Sequence, residues 1–132
     1  MEPSIIETTL AERETLIRLR KGETLFREGE PPRGVYVLHS GSVDLLFAAK
    51  DGSAKPLREA QSGQILGLSC VVTQRVHDCT ATAAEPCEVA FIEREDFLHA
   101  LDDSPAVWFS VLHLLSNEIN AAYDDMRVLA SR

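Results

Sequence analysis

The segment from Gly63 to Ala83, GQILGLSCVVTQRVHDCTATA, holds the residues whose types and spacing are best suited to chemistry. Gly67 lies just before a short apolar stretch, and the backbone N–H groups at the start of a short helix after a glycine form a concave site for an anion. The polar side chains of a phosphate site are missing, because Leu68 follows the glycine and His77 and Asp78 lie near the far end. The segment therefore has the outline of a phosphate-binding cassette without its polar anchors.

The residues around this segment predict a mainly β domain. All seven glycines lie between Gly22 and Gly67, each beside turn-forming residues or interrupting a short apolar run. This pattern is typical of short strands joined by tight turns, and a closed antiparallel barrel or roll is its simplest product. The side chains that alternate with period two or supply β-branched and aromatic content are Val35, Val37, Val43, Leu45, Phe47, Thr80, Thr82, Val89, Phe91 and Ile92.

The end of the chain predicts helices. The segment Glu93–Leu101 has the apolar spacing of a short linking helix, and Ser104–Pro105 supplies an N-cap followed by proline at the first helical position. No glycine or proline occurs from Ala106 onward. We therefore expect a β-roll over residues 1–103, followed by one long helix over residues 104–132.

An apolar seam along the long helix predicts a homodimer. Its spacings alternate between four and three residues, as in a two-stranded coiled coil. A second strip, Val107, Val111 and Leu114, would dock the first turns of the helix on the roll. The alternative, in which the whole seam folds back on its own roll, stays open. The seam consists of Trp108, Leu112, Leu115, Ile119, Ala122, Met126 and Leu129.

Composition narrows the class of protein. The 132 residues suit one domain, and the start of the chain has neither a basic region ahead of an apolar stretch nor a membrane-spanning run, so we expect a cytoplasmic protein. The formal net charge of −8 and the absence of a dense basic stripe argue against DNA binding by these residues. We find no nucleophile–base pair, paired carboxylates or glycine-rich nucleotide loop, which argues against an enzyme.

Four stretches together resemble the effector-binding domain of the Crp/Fnr superfamily, which has the cyclic-nucleotide-binding fold. They are KGETLFREGEPP from Lys21, VYVLHSGSVDLL from Val35, the cassette, and EPCEVAFIEREDF from Glu85. The resemblance covers about residues 15–130. It implies a double-stranded β-helix (a jelly-roll-like β-roll), a dimerisation helix, and DNA binding only through a helix-turn-helix module that this sequence does not contain.

The resemblance also implies candidate ligand residues. Cyclic-nucleotide-binding members read roughly G-[DE]-x-F-G-E in the cassette, followed by an arginine for the phosphate. Without a gap, the glycine is Gly67, the glutamate position holds Leu68, the arginine position holds His77, and Asp78 follows. With Ser69, these residues form the candidate effector pocket. Arg75, two residues before the arginine position, could partly replace that charge.

The binding free energy lost with these anchors argues for a ligand other than a cyclic nucleotide. Losing a charged hydrogen-bonding partner in a buried site costs about 1.5–3 kcal/mol, so losing two weakens binding by roughly two to four powers of ten. Asp78 adds a negative charge where the phosphate would lie. We therefore expect an allosteric sensor whose effector is unknown. A ligand-free dimerisation module and weak retained binding of cyclic nucleotides remain as alternatives.

The histidines and cysteines could in principle form a metal, iron–sulfur or haem site, but their spacing predicts no cofactor. His39 and His77 could be metal ligands as in a cupin, but no HxH pair occurs and we expect a lone histidine on each of two strands. Cys70, Cys79 and Cys87 lack the close N-terminal cysteine group of iron–sulfur relatives, so we expect them to be buried packing residues. Haem held through His77 is the remaining alternative.

Overall fold

The computed structural model describes residues 14–106, 109–113 and 115–116, and these form two four-stranded antiparallel sheets. One sheet has the strand order β1-β8-β3-β6 and the other β2-β7-β4-β5. The prediction of a mainly β domain is confirmed, and the two sheets are consistent with the predicted β-roll. The strands are β1 (Glu14–Leu19), β2 (Thr24–Phe26), β3 (Gly34–Ser40), β4 (Val43–Ala48), β5 (Ala54–Ala60), β6 (Ile65–Leu66), β7 (Thr80–Ala83) and β8 (Cys87–Glu93).

Strand β3 separates two apolar layers because successive side chains on a strand point to opposite faces. Val35 and Val37 lie in one layer and Tyr36 and Leu38 in the other. The first, which we call the helix-side layer, comprises Val35, Val37, Leu68, Val71, Ala90, Ile92, Phe97, Ala100, Leu101 and Val111. The second, the roll interior, comprises Phe26, Tyr36, Leu38, Val43, Leu45, Ala60, Leu66, Cys79, Ala81, Ala83, Cys87 and Val89.

In the part of the chain that the structure describes, three helical segments lie beside the sheets. Helix α1 spans Leu68–Thr73 and α2 spans Arg94–Asp103, close to the predicted linking helix. From residue 105 the backbone is helical again at 105–106, 109–113 and 115–116, which we call α3 and which begins where Ser104–Pro105 predicts. The predicted continuation to residue 132 lies outside the described residues, as do the seam residues Trp108, Ile119, Ala122, Met126 and Leu129.

The described part of α3 presents different side chains to the core and to solvent. Val111, from the predicted docking strip, is fully buried in the helix-side layer. Leu115, predicted to face a partner, is partly buried against that same layer of its own chain. Leu112 and Phe109 are 54% and 75% exposed. The predicted seam is thus divided between an intramolecular contact at Leu115 and an exposed position at Leu112.

Candidate functional site

A cavity of about 400 Å³ lies between the roll interior, α1 and α3. This volume is in the range of small-molecule sites, about 300–1,000 Å³. Its apolar wall comes from strands of both sheets. The apolar side chains that line it are Phe26, Leu45, Leu57, Ile65 and Leu66, with Leu115 from α3.

Gly67 forms the turn that joins β6 to α1. Its φ of +82° lies in the left-handed region that favours glycine, and its carbonyl oxygen accepts a hydrogen bond from the Val71 N–H at 3.1 Å. A side chain would also crowd the site, because an added Cβ would lie 3.3 Å from the Gly34 oxygen and 3.4 Å from Cε1 of His77. This turn therefore brings the start of α1 against β3 and the His77 ring.

Helix α1 gives the cavity two hydroxyl groups. Ser69 and Thr73 lie four residues apart, hence on one face of the helix, and both line the cavity. The Thr73 hydroxyl donates a hydrogen bond to the Ser69 carbonyl oxygen at 2.6 Å. Ser69, a candidate pocket residue from the sequence, therefore lies at the wall of the cavity.

Leu68 lies on the other side of α1. It is 1% exposed and packs in the helix-side layer together with Val71, three residues later on the same face. Leu68 is not among the residues that line the cavity. The residue after the glycine, a candidate ligand residue from the sequence, is therefore a core residue in this fold.

His77 lies in the loop before β7 and not on a strand, which corrects the sequence expectation. Its N–H donates to the Glu30 carbonyl oxygen at 2.9 Å, and its own carbonyl oxygen accepts from the Gly29 N–H at 2.8 Å. These two backbone bonds fix the loop against the turn that follows β2. The His77 side chain is 3% exposed, lines the cavity and stacks on the ring of Phe26.

The environment of His77 favours its neutral form. Burial lowers the pKa of the imidazole below its usual value, while Asp78 and Glu30 act in the opposite direction with smaller effect. Because the reference pKa is about 6.5, the ring is mostly uncharged at neutral pH. His77 therefore does not supply the fixed positive charge of an arginine.

Two arginines line the cavity. Arg75 lies in the loop after α1, and its N–H donates to the Cys70 carbonyl oxygen at 3.0 Å. Arg58 lies on β5, where it pairs with Leu45 of β4. Cross-strand partners share a face of the sheet, which accounts for both residues reaching the cavity. The sequence anticipated Arg75 but not Arg58, because the sequence pattern does not reveal β5 as a strand that borders the cavity.

The other ionisable side chains that the described residues bring to the cavity are one carboxylate and two thiols. Asp78, a candidate pocket residue from the sequence, is exposed and lines the cavity. Cys70 and Cys79 also line it, and Cys87 lies in the roll interior. All three cysteines are buried and form no disulfide, which confirms the prediction of buried thiols. Among the described residues, no group of three or more His, Cys, Asp or Glu side chains could hold a metal ion.

Comparison with known proteins decides the family. Residues 16–104 match the model of the cyclic nucleotide-binding domain. The chain belongs to this family. The resemblance to effector domains of the Crp/Fnr superfamily is confirmed, because the relatives of this cyclic nucleotide-binding domain include regulators of that superfamily.

Two relatives and one solved structure illustrate the range of the family. The transcriptional activator protein FnrA of Stutzerimonas stutzeri is 31% identical over 118 residues, covering 86% of this chain and 46% of FnrA. Lysophospholipase nte1 of Neurospora crassa is 24% identical over 109 residues, 83% of this chain and 7% of that protein. The crystal structure of a transcriptional regulator from Thermotoga maritima superposes with a TM-score of 0.80 at 19% identity, covering 95% of this chain and 98% of the other.

The chain spans only part of these relatives, which limits which of their properties can be transferred to this domain. This chain spans less than half of FnrA and a small part of the lysophospholipase. The likeness to the Thermotoga maritima regulator concerns the fold alone, given the low identity. No helix formed by the described residues is long and apolar enough to cross a membrane.

Proposed function

We propose that this domain is the sensor of a Crp/Fnr-like transcription regulator and that its cavity accepts an effector other than a cyclic nucleotide. One observation carries the proposal. A cavity of about 400 Å³ lies beside Gly67 and His77, where a ligand-free interaction module would have side chains filling the space. The kinship with the activator FnrA supports a role in transcription regulation.

The side chains around the cavity argue against a cyclic nucleotide. Leu68 packs in the helix-side layer, so the position after Gly67 offers no carboxylate to a ribose hydroxyl. His77 is mostly neutral, and Asp78 brings a negative charge to the cavity wall. Like charges in a partly desolvated site cost several kcal/mol, which opposes a phosphate at this position.

Leu115 supports an allosteric role. It lines the cavity and also packs on the helix-side layer, so it contacts both the ligand space and the core beneath α3. A ligand that displaces Leu115 would favour one pose of α3 over another, and this difference in affinity between poses is what allostery requires. We propose that residues 1–103 sense the effector and that residues 104–132 form the dimerisation helix that relays it to a DNA-binding module.

The lysophospholipase relative suggests a second context. This chain corresponds to 7% of that protein, so the same kind of domain also occurs within a much larger protein. In either context we propose that the domain regulates and does not catalyse. Sequencing the region encoded after Arg132 distinguishes the contexts, since a helix-turn-helix supports the transcription regulator.

Isothermal titration with cyclic AMP and cyclic GMP tests the ligand assignment. We expect no saturable heat with tens of micromolar protein, because two polar anchors are lost and a like charge is added. Low-micromolar binding of either nucleotide would refute the proposal. A parallel thermal-shift screen of small molecules, repeated on Ser69→Phe to fill the cavity, should yield compounds that stabilise only the wild-type domain.

A further inference from the structure

We infer that the effector is an amphipathic anion, a small molecule with an apolar body and one anionic group placed beside Arg75 and Arg58. The inference rests on the proposed function, because it names the ligand class of the same cavity. It differs from the family's nucleotide in placing the charge at arginines outside the usual anchor position.

The inner wall of the cavity suits an apolar body. Phe26, Leu45 and Leu66 are buried members of the roll interior and also line the cavity. Leu57 and Ile65 extend this apolar surface at its edge. Binding of a hydrocarbon group to this wall is favourable because it displaces water from apolar surface. The polar edge of a purine and the ribose hydroxyls would lose their hydrogen bonds to water there.

The charges at the cavity suit one anionic group. The chain has 13 Lys and Arg against 21 Asp and Glu, yet the described residues that line the cavity include two arginines and one carboxylate, that of Asp78. The described part of the cavity lining therefore has more basic than acidic side chains, in a protein that is acidic overall. Each guanidinium presents a planar fork of donors that matches a carboxylate, sulfonate or phosphate.

The position of the arginines sets the orientation of the ligand. Both side chains are exposed, so the anionic group lies at the mouth of the cavity and keeps part of its hydration. Ser69 and Thr73, which carry hydroxyl groups, also line the cavity. The apolar body then points inward, toward Phe26.

The test uses a matched pair of fluorescent probes. 8-Anilinonaphthalene-1-sulfonate carries one sulfonate on an aromatic body, and N-phenyl-1-naphthylamine has the same rings without the charge. Fluorescence titration of the folded wild-type chain should give saturable one-to-one binding of the sulfonate, roughly 5- to 10-fold tighter than that of the neutral amine, as a partly exposed charged contact allows. Added NaCl should weaken the binding of the sulfonate probe but not that of the neutral amine.

Variants assign the charge to the arginines. Arg75→Gln and Arg58→Gln should each weaken sulfonate binding about 5-fold and leave the neutral amine unchanged. Arg75→Lys keeps the positive charge and should weaken sulfonate binding less than Arg75→Gln does. Arg20→Gln removes an exposed arginine that does not line the cavity, so it should bind both probes like the wild type. Circular dichroism checks that each variant is folded.

Competition distinguishes the anionic groups. Decanoate and decyl phosphate should displace the sulfonate probe, with the stronger competitor identifying the preferred group, whereas decanol should displace it poorly. Equal affinity of the two probes, or equal effects of Arg75→Gln and Arg20→Gln, would overturn the inference and leave the cyclic nucleotide titration untouched. Tight binding of cyclic AMP would instead overturn the proposed function.

Discussion

The ring of His77 lies almost parallel to the ring of Phe26, with centroids 3.9 Å apart and an interplanar angle of 15°. Phe26 in turn lies 5.5 Å from the ring of Tyr36, and Tyr36 lies 5.1 Å from Phe91. A row of aromatic rings therefore runs from the cavity wall into the roll interior. His77 is an aromatic packing residue at the end of this row, at the position that the sequence resemblance predicts to correspond to the arginine of nucleotide-binding members.

The buried His77 ring should make stability depend on pH. Because burial lowers its pKa in the folded state, the unfolded chain binds more protons as the pH falls through about 6.5. The free energy of unfolding should therefore decrease below that pH and level off once the folded-state pKa is passed. Urea denaturation at a series of pH values measures this slope.

Two variants assign the slope to His77. His77→Phe keeps an aromatic ring beside Phe26 and removes the titration, so its unfolding free energy should change less over the same pH interval. His39→Gln removes an exposed histidine at the end of β3 and should keep the wild-type slope. An unaltered slope in His77→Phe would show that other groups are responsible.

Leu68→Glu introduces the glutamate that the sequence resemblance predicts at this position, and it should destabilise the fold. Leu68 is buried among apolar side chains, so the new carboxylate would lose its hydration without gaining a partner, at a cost of roughly 3 kcal/mol or more. Leu68→Met conserves volume and should cost less than about 1.5 kcal/mol. Chemical denaturation of both variants checks this. Near-wild-type stability of Leu68→Glu would mean that the side chain can turn toward the cavity.

Gly67→Ala separates backbone strain from crowding at the site. Gly52 has a similar φ, +84° against +82°, but an added Cβ at Gly52 meets nothing within 4 Å. Gly52→Ala should therefore cost only the left-handed strain of about 1–2 kcal/mol, and Gly67→Ala should cost more. Thermal unfolding measures the difference. Equal costs would mean that Gly34 and His77 give way without penalty.

Adjacent residues of α3 should respond in opposite ways. Val111 is fully buried, so Val111→Ala should destabilise the chain by roughly 2 kcal/mol through the cavity it leaves. Leu112→Ala removes an exposed side chain and should leave intrinsic stability nearly unchanged while weakening dimerisation. Denaturation and light scattering at tens of micromolar measure the two effects. A monomeric wild-type protein would contradict the predicted coiled coil.

The strands that the sequence predicted well are those with a buried face. Val43, Leu45 and Phe47 on β4 are buried in alternation with less buried neighbours, as their period-two pattern predicts. Sequence reasoning did not identify β1 or β5, which lie at the edges of the two sheets. Edge strands tolerate polar side chains and proline, and β5 contains Pro56 among largely exposed residues. They therefore lack the periodicity that reveals a strand.

The sequence by itself determined the family and the turn at Gly67, since local spacing and residue type carry these features, and it predicts the loss of the usual anchors. Only the tertiary structure decided which of these side chains face the core and which face the cavity. Helical phase turns Leu68 toward the core and Ser69 toward the cavity, and strand pairing brings Arg58 of β5 to the same cavity as Arg75. Such convergence depends on how the helix and the paired strands pack together, and the residue pattern alone does not encode it.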